Sequence, residues 1–255
     1  MSLLSSFVVL SSNKNSSAVT RSKGTSLLTE PSANRPLPVI EALARAQAAR
    51  DRSTHAHARR VRRYAVALAG EISISEDRTL AAIDAAALLH DIGKLGIPDR
   101  LLDKPGPLTR EEYDHVKLHA IIGADMLSAV AFPGPLAVIV RHHHENWDGT
   151  GYPDGLAGEQ IPVASRIIRF ADTIDAMTTE RPYRAPLTES QVRAEVIRCR
   201  ATQFDPQIAD RLLSSPLWTS IFTSPSVTVT PARPMMALLR KTPNGVQSAT
   251  KAREA

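Results

Sequence analysis

Hydrophobic residues recur at helical spacing through the middle of the chain. Two segments show this most clearly, one over 54–69 and the next over 76–90, where apolar positions fall three or four residues apart. The first stripe consists of His57, Val61, Tyr64 and Leu68, and the second of Leu80, Ile83, Ala87 and His90. No segment alternates apolar and polar residues with the β-branched enrichment typical of a strand. The pattern predicts an all-α bundle of about seven or eight helices.

Capping residues mark where several of these helices begin. A capping box pairs a threonine with a glutamate or glutamine three residues later, and an aspartate followed by proline is another start signal. The chain contains three such pairs, Thr109 with Glu112, Thr188 with Gln191, and Asp205 with Pro206. The predicted helices cover 39–50, 54–69, 76–90, 109–129, 162–179 and 188–201, and a short one follows 205. Between them, 135–144 is apolar and then rich in histidine, and 145–161 is a glycine- and proline-rich loop.

Composition changes near both ends and divides the chain into three parts. Residues 1–36 are rich in Ser, Thr, Asn and Lys, and the last thirty residues combine prolines and basic residues with small polar ones. We expect a disordered leader over 1–36, a folded domain over 37–222 and a disordered basic tail over 223–255. The 255-residue chain has a net charge of +5, but the segment 37–225 has a net charge of −2. A nucleic-acid-binding domain concentrates basic residues on its folded part, so no nucleic acid partner is predicted.

The cysteine count and the apolar runs exclude further classes. A single cysteine, Cys199, excludes a disulfide framework and a cysteine-rich zinc site, and it fits a reducing compartment. The longest apolar runs are shorter than the ~20 residues that a membrane-spanning helix needs. We therefore predict a cytoplasmic protein with no transmembrane segment.

All eight histidines lie between His55 and His144. A metal site needs several neutral imidazoles and carboxylates that converge in space. Taken singly, a histidine on an apolar stripe, such as His57 or His90, is more often a core residue satisfied by one hydrogen bond. Several such residues together favour a coordinated site, and Asp91 is suited to bridge two ions because a carboxylate has two oxygen atoms. The candidate ligands are His57, His90, Asp91, His119, His142, His143, His144, Asp172 and Asp175.

Five segments occur in an order that resembles the HD-GYP domain. They are HDIGKLGIPDRLLDKPGPLT, KLHAIIGADML, HHENWDGTGYPDGLAGEQIPVASRI, FADTIDAMTTERPYR and FDP, and the resemblance covers about residues 54–210. HD-GYP proteins are metal-dependent phosphodiesterases that hydrolyse cyclic di-GMP in bacterial second-messenger signalling. The resemblance therefore implies cyclic di-GMP as the substrate and pGpG or GMP as the product.

The resemblance also implies a site for two divalent metal ions. Some members bind a third ion through a glutamate four residues before the first histidine, but Ser53 occupies that position here. The nitrogen and oxygen ligands suit Fe or Mn, with Zn, Ni or Co as replacements. The implied ligands are His57, His90, Asp91 and Asp172 for one ion, and Asp91, His119, His143 and His144 for the other. His142 is the extra histidine of the triplet and is expected to be a neighbour of the site.

Other site residues follow from the same motifs. Lys94 is implied to contact the scissile phosphate and to act with Asp91 in catalysis, because a fixed ammonium stabilises the charge of the transition state. Glu145, Asp148 and Asp175 are implied to support the site without binding the ions themselves. The implied substrate-binding residues are Lys94, the GYP-loop residues Gly151, Tyr152 and Pro153, and the arginines Arg181 and Arg184.

The implied chemistry needs no nucleophilic serine or cysteine. Two ions about 3.5–4 Å apart clamp the phosphate and generate a bridging hydroxide that attacks it. One alternative is a module that senses cyclic di-GMP or docks diguanylate cyclases with little turnover, and another is a hydrolase of a different cyclic dinucleotide. No ligand of the motif set is lost, which favours an enzyme. The leader is too short for a receiver domain of ~100 residues, so a regulator is missing, supplied by a separate sensory or receiver protein, or unnecessary. The oligomeric state is left open.

Overall fold

The computed structural model describes residues 36–50, 52–180 and 185–223. Within these ranges the chain forms eleven α-helices and two short 3-10 turns, and no strand longer than an isolated bridge. The helices are α1 (Pro36–Arg50), α2 (Arg52–Glu71), α3 (Asp77–Leu89), α4 (Asp99–Leu102), α5 (Arg110–Lys117), α6 (His119–Ser128), α7 (Leu136–Arg141), α8 (Val163–Thr178), α9 (Glu189–Arg198), α10 (Pro206–Ser214) and α11 (Pro216–Thr223). The 3-10 turns are Ile92–Gly96 and Gly158–Gln160. The predicted all-α class is confirmed.

The structure contains more helical segments than the sequence pattern predicts, because several segments are short. α4 has four residues and α11 has eight, and neither is long enough to repeat an apolar stripe. The helix predicted over 109–129 is divided at Leu118, whose amide bonds to the carbonyl oxygen of His115 at 3.1 Å. This tighter turn makes His119 the first residue of α6.

The predicted helix starts are confirmed at all three capping pairs. The hydroxyl of Thr109 accepts from the amide of Glu112, and that of Thr188 accepts from the amide of Gln191. In return, the side chains of Glu112 and Gln191 accept from the amides of the two threonines. Asp205 caps α10 by accepting from the amide of Gln207 at 2.8 Å. Its other oxygen accepts from Arg166 at 2.7 Å. One side chain therefore both begins α10 and holds it against α8.

α3 lies at the centre of the helical bundle. Its buried side chains are mostly small, and α2, α7 and α8 all pack against it. Small side chains let neighbouring helices approach closely, because the interaxial distance depends on the residues at the contact. The buried alanines are Ala81, Ala82, Ala85, Ala86 and Ala87. Because α3 ends at Leu89 inside this packing, the pair that follows it, His90 and Asp91, emerges in the core.

Helices at both ends of the described region contribute to the core. Ile40 of α1 and Trp218 of α11 are both buried. The predicted leader and tail lie almost entirely outside the described residues, and the domain limits at 37 and 222 stay a prediction. In the ranges that the structure describes, none of the helices combines the length and the hydropathy that a membrane crossing requires.

Candidate metal centre

Two groups of histidine and aspartate side chains lie near each other at the carboxyl end of α3. They come from α2, from the end of α3, from the start of α6, from the segment after α7 and from α8. Within each group, the ligand atoms lie within 4.8 Å of one another. The first group is His57, His90 and Asp172, and the second is Asp91, His119, His143 and His144. The structure therefore brings together all seven residues that the motifs imply as ligands.

Backbone carbonyl groups orient three of the histidine rings. The rings are those of His90, His119 and His143, and each Nδ1 lies 2.5–2.9 Å from the carbonyl oxygen three residues earlier in the chain. Because a carbonyl oxygen only accepts, Nδ1 carries the proton and Nε2 presents a lone pair. Metal-binding histidines commonly donate from the ring nitrogen that does not bind the ion.

Two of these lone pairs face each other. Nε2 of His119 lies 3.4 Å from Nε2 of His143, and both rings donate from Nδ1 to the backbone. Two lone pairs at this distance repel each other. A divalent ion bound to both nitrogens would remove this repulsion. The donor set, imidazole nitrogen with carboxylate oxygen, therefore fits a divalent transition metal.

Asp91 lies between the two groups. Its Oδ2 is 3.5 Å from Nε2 of His90, and its Oδ1 is 3.6 Å from Nε2 of His119. One carboxylate thus faces a histidine of each group, which is the geometry that a bridging ligand needs. Nζ of Lys94 is 2.6 Å from Oδ2 of the same carboxylate, so the structure places the predicted catalytic lysine beside the predicted bridge.

A further carboxylate holds the ring of His57 from its other edge. Oδ2 of Asp175 accepts from Nδ1 of His57 at 2.7 Å, and Asp175 also accepts from Arg60 at 2.6 and 3.0 Å. Nε2 of His57 lies 3.3 Å from Oδ1 of Asp172. Burial opposes the charged form of His57, but hydrogen bonds with Asp172 and Asp175 outweigh it and raise the pKa of this ring to about 9. Positive charge is therefore favoured at this position.

The second group has the protonation states of a ligand set. Burial lowers the pKa values of His119, His143 and His144, so these imidazoles are neutral. Burial alone would raise the pKa of Asp91, but the positive charge of Lys94 is the main cause that holds that pKa well below its usual range. Neutral imidazole and ionised carboxylate are the forms that bind a metal ion.

The turn that carries Asp91 packs backbone to backbone against α6. A Cβ atom at Gly93 would lie 1.9 Å from the carbonyl oxygen of His119 and 2.5 Å from the amide nitrogen of Gly123. Only glycine fits so close an approach. Arg50 of α1 holds the other side of the turn through hydrogen bonds to the carbonyl oxygens of Lys94 in the turn and of Ile97 directly after it. The position of Asp91 is thus set by α6 and α1 together.

The GYP loop covers one side of the site. The ring of Tyr152 lies against the ring of His144, with centroids 4.8 Å apart and planes 31° apart. Burial is the main cause that raises the pKa of Tyr152, so its hydroxyl stays protonated. A Cβ atom at Gly151 would lie 2.3 Å from the amide nitrogen of Asn146, so the loop folds closely on itself. Pro153 follows through a cis peptide bond.

The acidic residues of the loop bond within the loop. Glu145 is buried, and its Oε1 accepts from the amides of Asp154 and Gly155 at 2.8 and 3.1 Å. Oδ1 of Asp148 accepts from the amide and the hydroxyl of Thr150 at 3.0 and 2.6 Å. Neither carboxylate belongs to a ligand group. Both shape the segment that carries the GYP residues.

Among the remaining predicted residues that the structure describes, His142 falls outside the two groups. Nε2 of His142 bonds to Oδ2 of Asp154 at 2.9 Å, as expected of a neighbour of the site. Arg181 and Arg184 lie outside the described residues. The sequence did not predict the position of Arg169 beside the site. Its Nε and Nη2 donate to Oδ1 of Asn146 at 3.3 and 3.0 Å. Its position on α8, three residues before Asp172, is the signal that could have found it, because residues at this spacing share a helix face.

Comparison with known proteins agrees with this geometry. The model of the HD domain family matches residues 41–208. A cyclic di-GMP phosphodiesterase response regulator of Xanthomonas campestris is 42% identical over 68% of this chain and 46% of its own length. A cyclic di-GMP phosphodiesterase of Thermotoga maritima is 40% identical over 69% of this chain and 48% of its own length. A 3'3'-cGAMP-specific phosphodiesterase of Vibrio cholerae is 38% identical over 67% of this chain and 33% of its own length.

The fold also occurs in a solved structure. An HDG"Y"P protein from Bdellovibrio bacteriovorus aligns with a TM-score of 0.51 and 23% identity, over 62% of this chain and 51% of that one. The chain spans about half the length, or less, of the curated relatives it matches. The family match includes every residue of both ligand groups. The chain belongs to the HD domain family, and its ordered motifs place it in the HD-GYP branch of that family.

Proposed function

We propose that this chain is a metal-dependent phosphodiesterase that hydrolyses cyclic di-GMP to pGpG or GMP. The observation that carries the proposal is the pair of ligand groups with the carboxylate of Asp91 between them. Relatives named cyclic di-GMP phosphodiesterases, at 42% and 40% identity, support the substrate class.

The residues of the two groups would hold two divalent ions, Fe or Mn by ligand type. When bound, such ions supply Lewis acidity towards the phosphate oxygens. Asp91 offers one oxygen to each group and so sets their separation. Lys94 keeps its side chain 36% exposed while it pairs with Asp91, so its ammonium can also contact a phosphate oxygen that arrives from solvent. There it would offset the charge of the transition state.

The GYP loop supplies the wall against which the substrate binds. Tyr152 is fixed by its contact with His144, and its aromatic face can stack on a purine base. Arginine forks suit phosphate, and the motif resemblance supports Arg181 and Arg184 as further phosphate contacts. These contacts would orient the substrate, while ions held by the two ligand groups would bind the reacting phosphate.

A second candidate substrate is 3'3'-cGAMP. The Vibrio cholerae relative with that name is 38% identical to this chain, which is close to the identity of the cyclic di-GMP relatives. The two nucleotides share both phosphodiester links and one guanine, and they differ in the second base. The ligand groups therefore suit either substrate, and the base contacts decide between them.

The test is an anaerobic assay of the full chain loaded with Fe(II) or Mn(II). Cyclic di-GMP and 3'3'-cGAMP are incubated separately, and the products are resolved by chromatography. We expect linear pGpG or GMP from cyclic di-GMP, and none from an Asp91→Ala variant. Asp210→Ala is the matched control, because Asp210 is exposed and pairs with Arg200 away from the ligand groups.

Each outcome of this assay has a definite meaning. Faster turnover of 3'3'-cGAMP than of cyclic di-GMP would replace the proposed substrate by the second one. Tight binding of cyclic di-GMP without any product, in protein that has bound its metal, would contradict the enzyme and favour a sensor or docking module.

A further inference from the structure

Arg169 is a charged residue at the edge of the site that the motifs do not explain. α8 places it one turn before Asp172, a member of the first ligand group. Its hydrogen-bond partner, Asn146, lies two residues after His144, a member of the second group. The chain therefore brings this guanidinium close to one member of each group, and the side chain is half-buried there.

The charge of Arg169 has no carboxylate partner among the residues that the structure describes. The guanidinium of Arg169 donates instead to the amide oxygen Oδ1 of Asn146. By contrast, Arg166, one turn earlier on the same helix, donates to the carboxylate of Asp205 at 2.7 Å. Partly buried charges in proteins are usually paired. Arg169 therefore keeps a positive charge that an incoming anion can neutralise.

The geometry leaves donors available for that anion. Nε and Nη2 of Arg169 both bond to one oxygen atom, so the Nη1 hydrogens and the second Nη2 hydrogen can bind other acceptors. Its acceptor, Asn146, lies two residues after His144. The amide of Tyr152 donates to the carbonyl oxygen of His144 at 3.3 Å, and the two rings lie with centroids 4.8 Å apart. The guanidinium is thus held beside the segment that carries both rings.

We propose that Arg169 binds a phosphate group of the cyclic dinucleotide on the side of the site lined by Tyr152. The inference rests on the proposed function, because it assigns a contact to the substrate of that site. Arginine binds phosphate through paired, charge-assisted hydrogen bonds. Asn146 orients the fork without neutralising it, because an amide oxygen carries no net charge. Arg169 is thus a substrate-binding residue in addition to those that the motifs imply.

The first test is a binding measurement on the full, metal-loaded chain. The probe is a phosphorothioate analogue of cyclic di-GMP that resists hydrolysis, and the dissociation constant is measured by calorimetry. Arg169→Gln removes the charge, and we expect it to weaken binding by about tenfold or more. Arg169→Lys keeps a point charge without the fork and is expected to recover part of the affinity. Metal content and thermal midpoint should match those of the unsubstituted chain.

Arg193→Gln is the matched control. Arg193 also lacks a carboxylate partner within the described ranges: it donates to the carbonyl oxygen of Leu213 at 3.1 Å and lies over the ring of Trp218. Its substitution removes the same charge at another place on the molecule. We expect its affinity for the analogue to stay within about twofold of the original, because the contacts of Arg193 involve no member of the ligand groups.

Two further measurements separate phosphate binding from other roles. Asn146→Ala removes the loop contact but keeps the guanidinium, so affinity should fall less than in Arg169→Gln; an equal loss would mean that Arg169 acts only by positioning the loop. The loss in Arg169→Gln should be the same for the corresponding cyclic di-AMP analogue, which has the same phosphates. A loss confined to the guanine ligand would indicate a base contact and overturn the assignment.

Failure of this inference is distinguishable from failure of the proposed function. Unchanged affinity in Arg169→Gln, in a chain that hydrolyses cyclic di-GMP, would overturn the role of Arg169 alone. Absence of hydrolysis with an affinity that still depends on Arg169 would overturn the enzyme and keep the contact. Absence of any binding by the unsubstituted chain would overturn both.

Discussion

Asp175 connects two elements through a single carboxylate. It accepts from Nδ1 of His57 and from both Nε and Nη2 of Arg60. These bonds hold the imidazole so that its other nitrogen faces His90 at 3.3 Å and Asp172 at 3.3 Å. A ligand ring held in this way needs no reorientation when an ion binds, which is how residues outside a ligand set raise metal affinity.

Asp175→Asn should therefore weaken metal binding at the group that contains His57. An amide replaces one carboxylate oxygen by an NH2 group that only donates, and it carries no negative charge, so at least one of the bonds from His57 and Arg60 is lost and the ring is held less firmly. We expect a fall of about 10–100-fold in metal affinity at that group, measured by elemental analysis after dialysis against graded chelator. Asp210→Asn, which changes an exposed ion pair, should keep the original metal content. Equal retention of metal in both variants would contradict the role given to Asp175.

At the residue scale, the sequence predicts which histidine and aspartate side chains come together better than it predicts their individual contacts. His57 and His90 lie on apolar stripes, and the ordered motifs separate them from ordinary core histidines. The pairing of Arg169 with Asn146 escapes prediction, because it depends on how a loop lies against α8 and on the rotamers of both side chains. The same reason applies to Glu145, whose partners are loop amides several residues further along the chain.

The 3-10 turn after α3 fixes the bridge between the ligand groups. Asp91 precedes this turn. Gly93, within the turn, packs against the backbone of His119 in α6. Backbone groups cannot move aside as a flexible side chain can. The spacing between Asp91 and His119 therefore depends on the absence of a side chain at Gly93.

Gly93→Ala should destabilise the fold and disturb both groups. The added methyl would overlap backbone atoms, so we expect a loss of at least about 3 kcal/mol in the free energy of unfolding, the upper end for overpacking. Gly70→Ala is the matched control: Gly70 lies exposed in α2 with nothing within 4 Å of an added Cβ. That substitution should stabilise the chain by up to about 1 kcal/mol, because alanine is the better helix former. Denaturant unfolding measures both, and a stable Gly93→Ala variant would contradict the packing argument.

At the element scale, local signals explain which helices the sequence predicts. Thr109, Thr188 and Asp205 mark helix starts through bonds to nearby amides, and such bonds depend on sequence neighbours alone. The break at Leu118 has no comparable signal. α11 has one, because Oγ of Ser215 accepts from the amide of Leu217 at 3.0 Å, but its eight residues are too few to repeat an apolar stripe. Trp218 also holds this helix by packing into the core and donating from its indole to Glu189 at 2.8 Å, which is a contact with another helix that no local pattern contains.

At the scale of the whole molecule, the first and last described helices are parts of the same core. Ile40 of α1 and Trp218 of α11 are buried among residues of the central helices. Arg50 at the end of α1 also binds the turn that carries the bridge. Removal of α1 would therefore expose apolar surface and release one side of the metal centre.

Limited proteolysis of the full chain should leave one resistant fragment. We expect it to begin at or before α1 and to end at or after α11, because cleavage concentrates where backbone is neither buried nor hydrogen-bonded. Mass spectrometry of the fragment tests the predicted limits at 37 and 222. A stable fragment that lacks either terminal helix would contradict the domain limits, and it would show that α1 or α11 is dispensable for folding.

Metal binding should stabilise the whole fold, because the two ligand groups join helices that are distant in sequence. An unfolded chain has no such arrangement, so an ion that binds only the folded state stabilises it by about 2.7 kcal/mol per site at a free concentration of a hundred times its dissociation constant. For a domain of this size, that corresponds to a rise of about 5–10 °C in thermal midpoint for each site. Mn(II) added to metal-free protein should produce this rise, and chelator should reverse it.

The two groups can be separated by the same measurement. Asp172→Ala removes a ligand of the first group only, so part of the metal-induced rise should remain. Asp91→Ala removes the carboxylate that faces both groups, so most of the rise should disappear. The two variants should therefore differ in their response to metal more than in their metal-free midpoints. Equal responses of the two variants would mean that Asp91 serves one group alone, and it would contradict the bridge on which the proposed function rests.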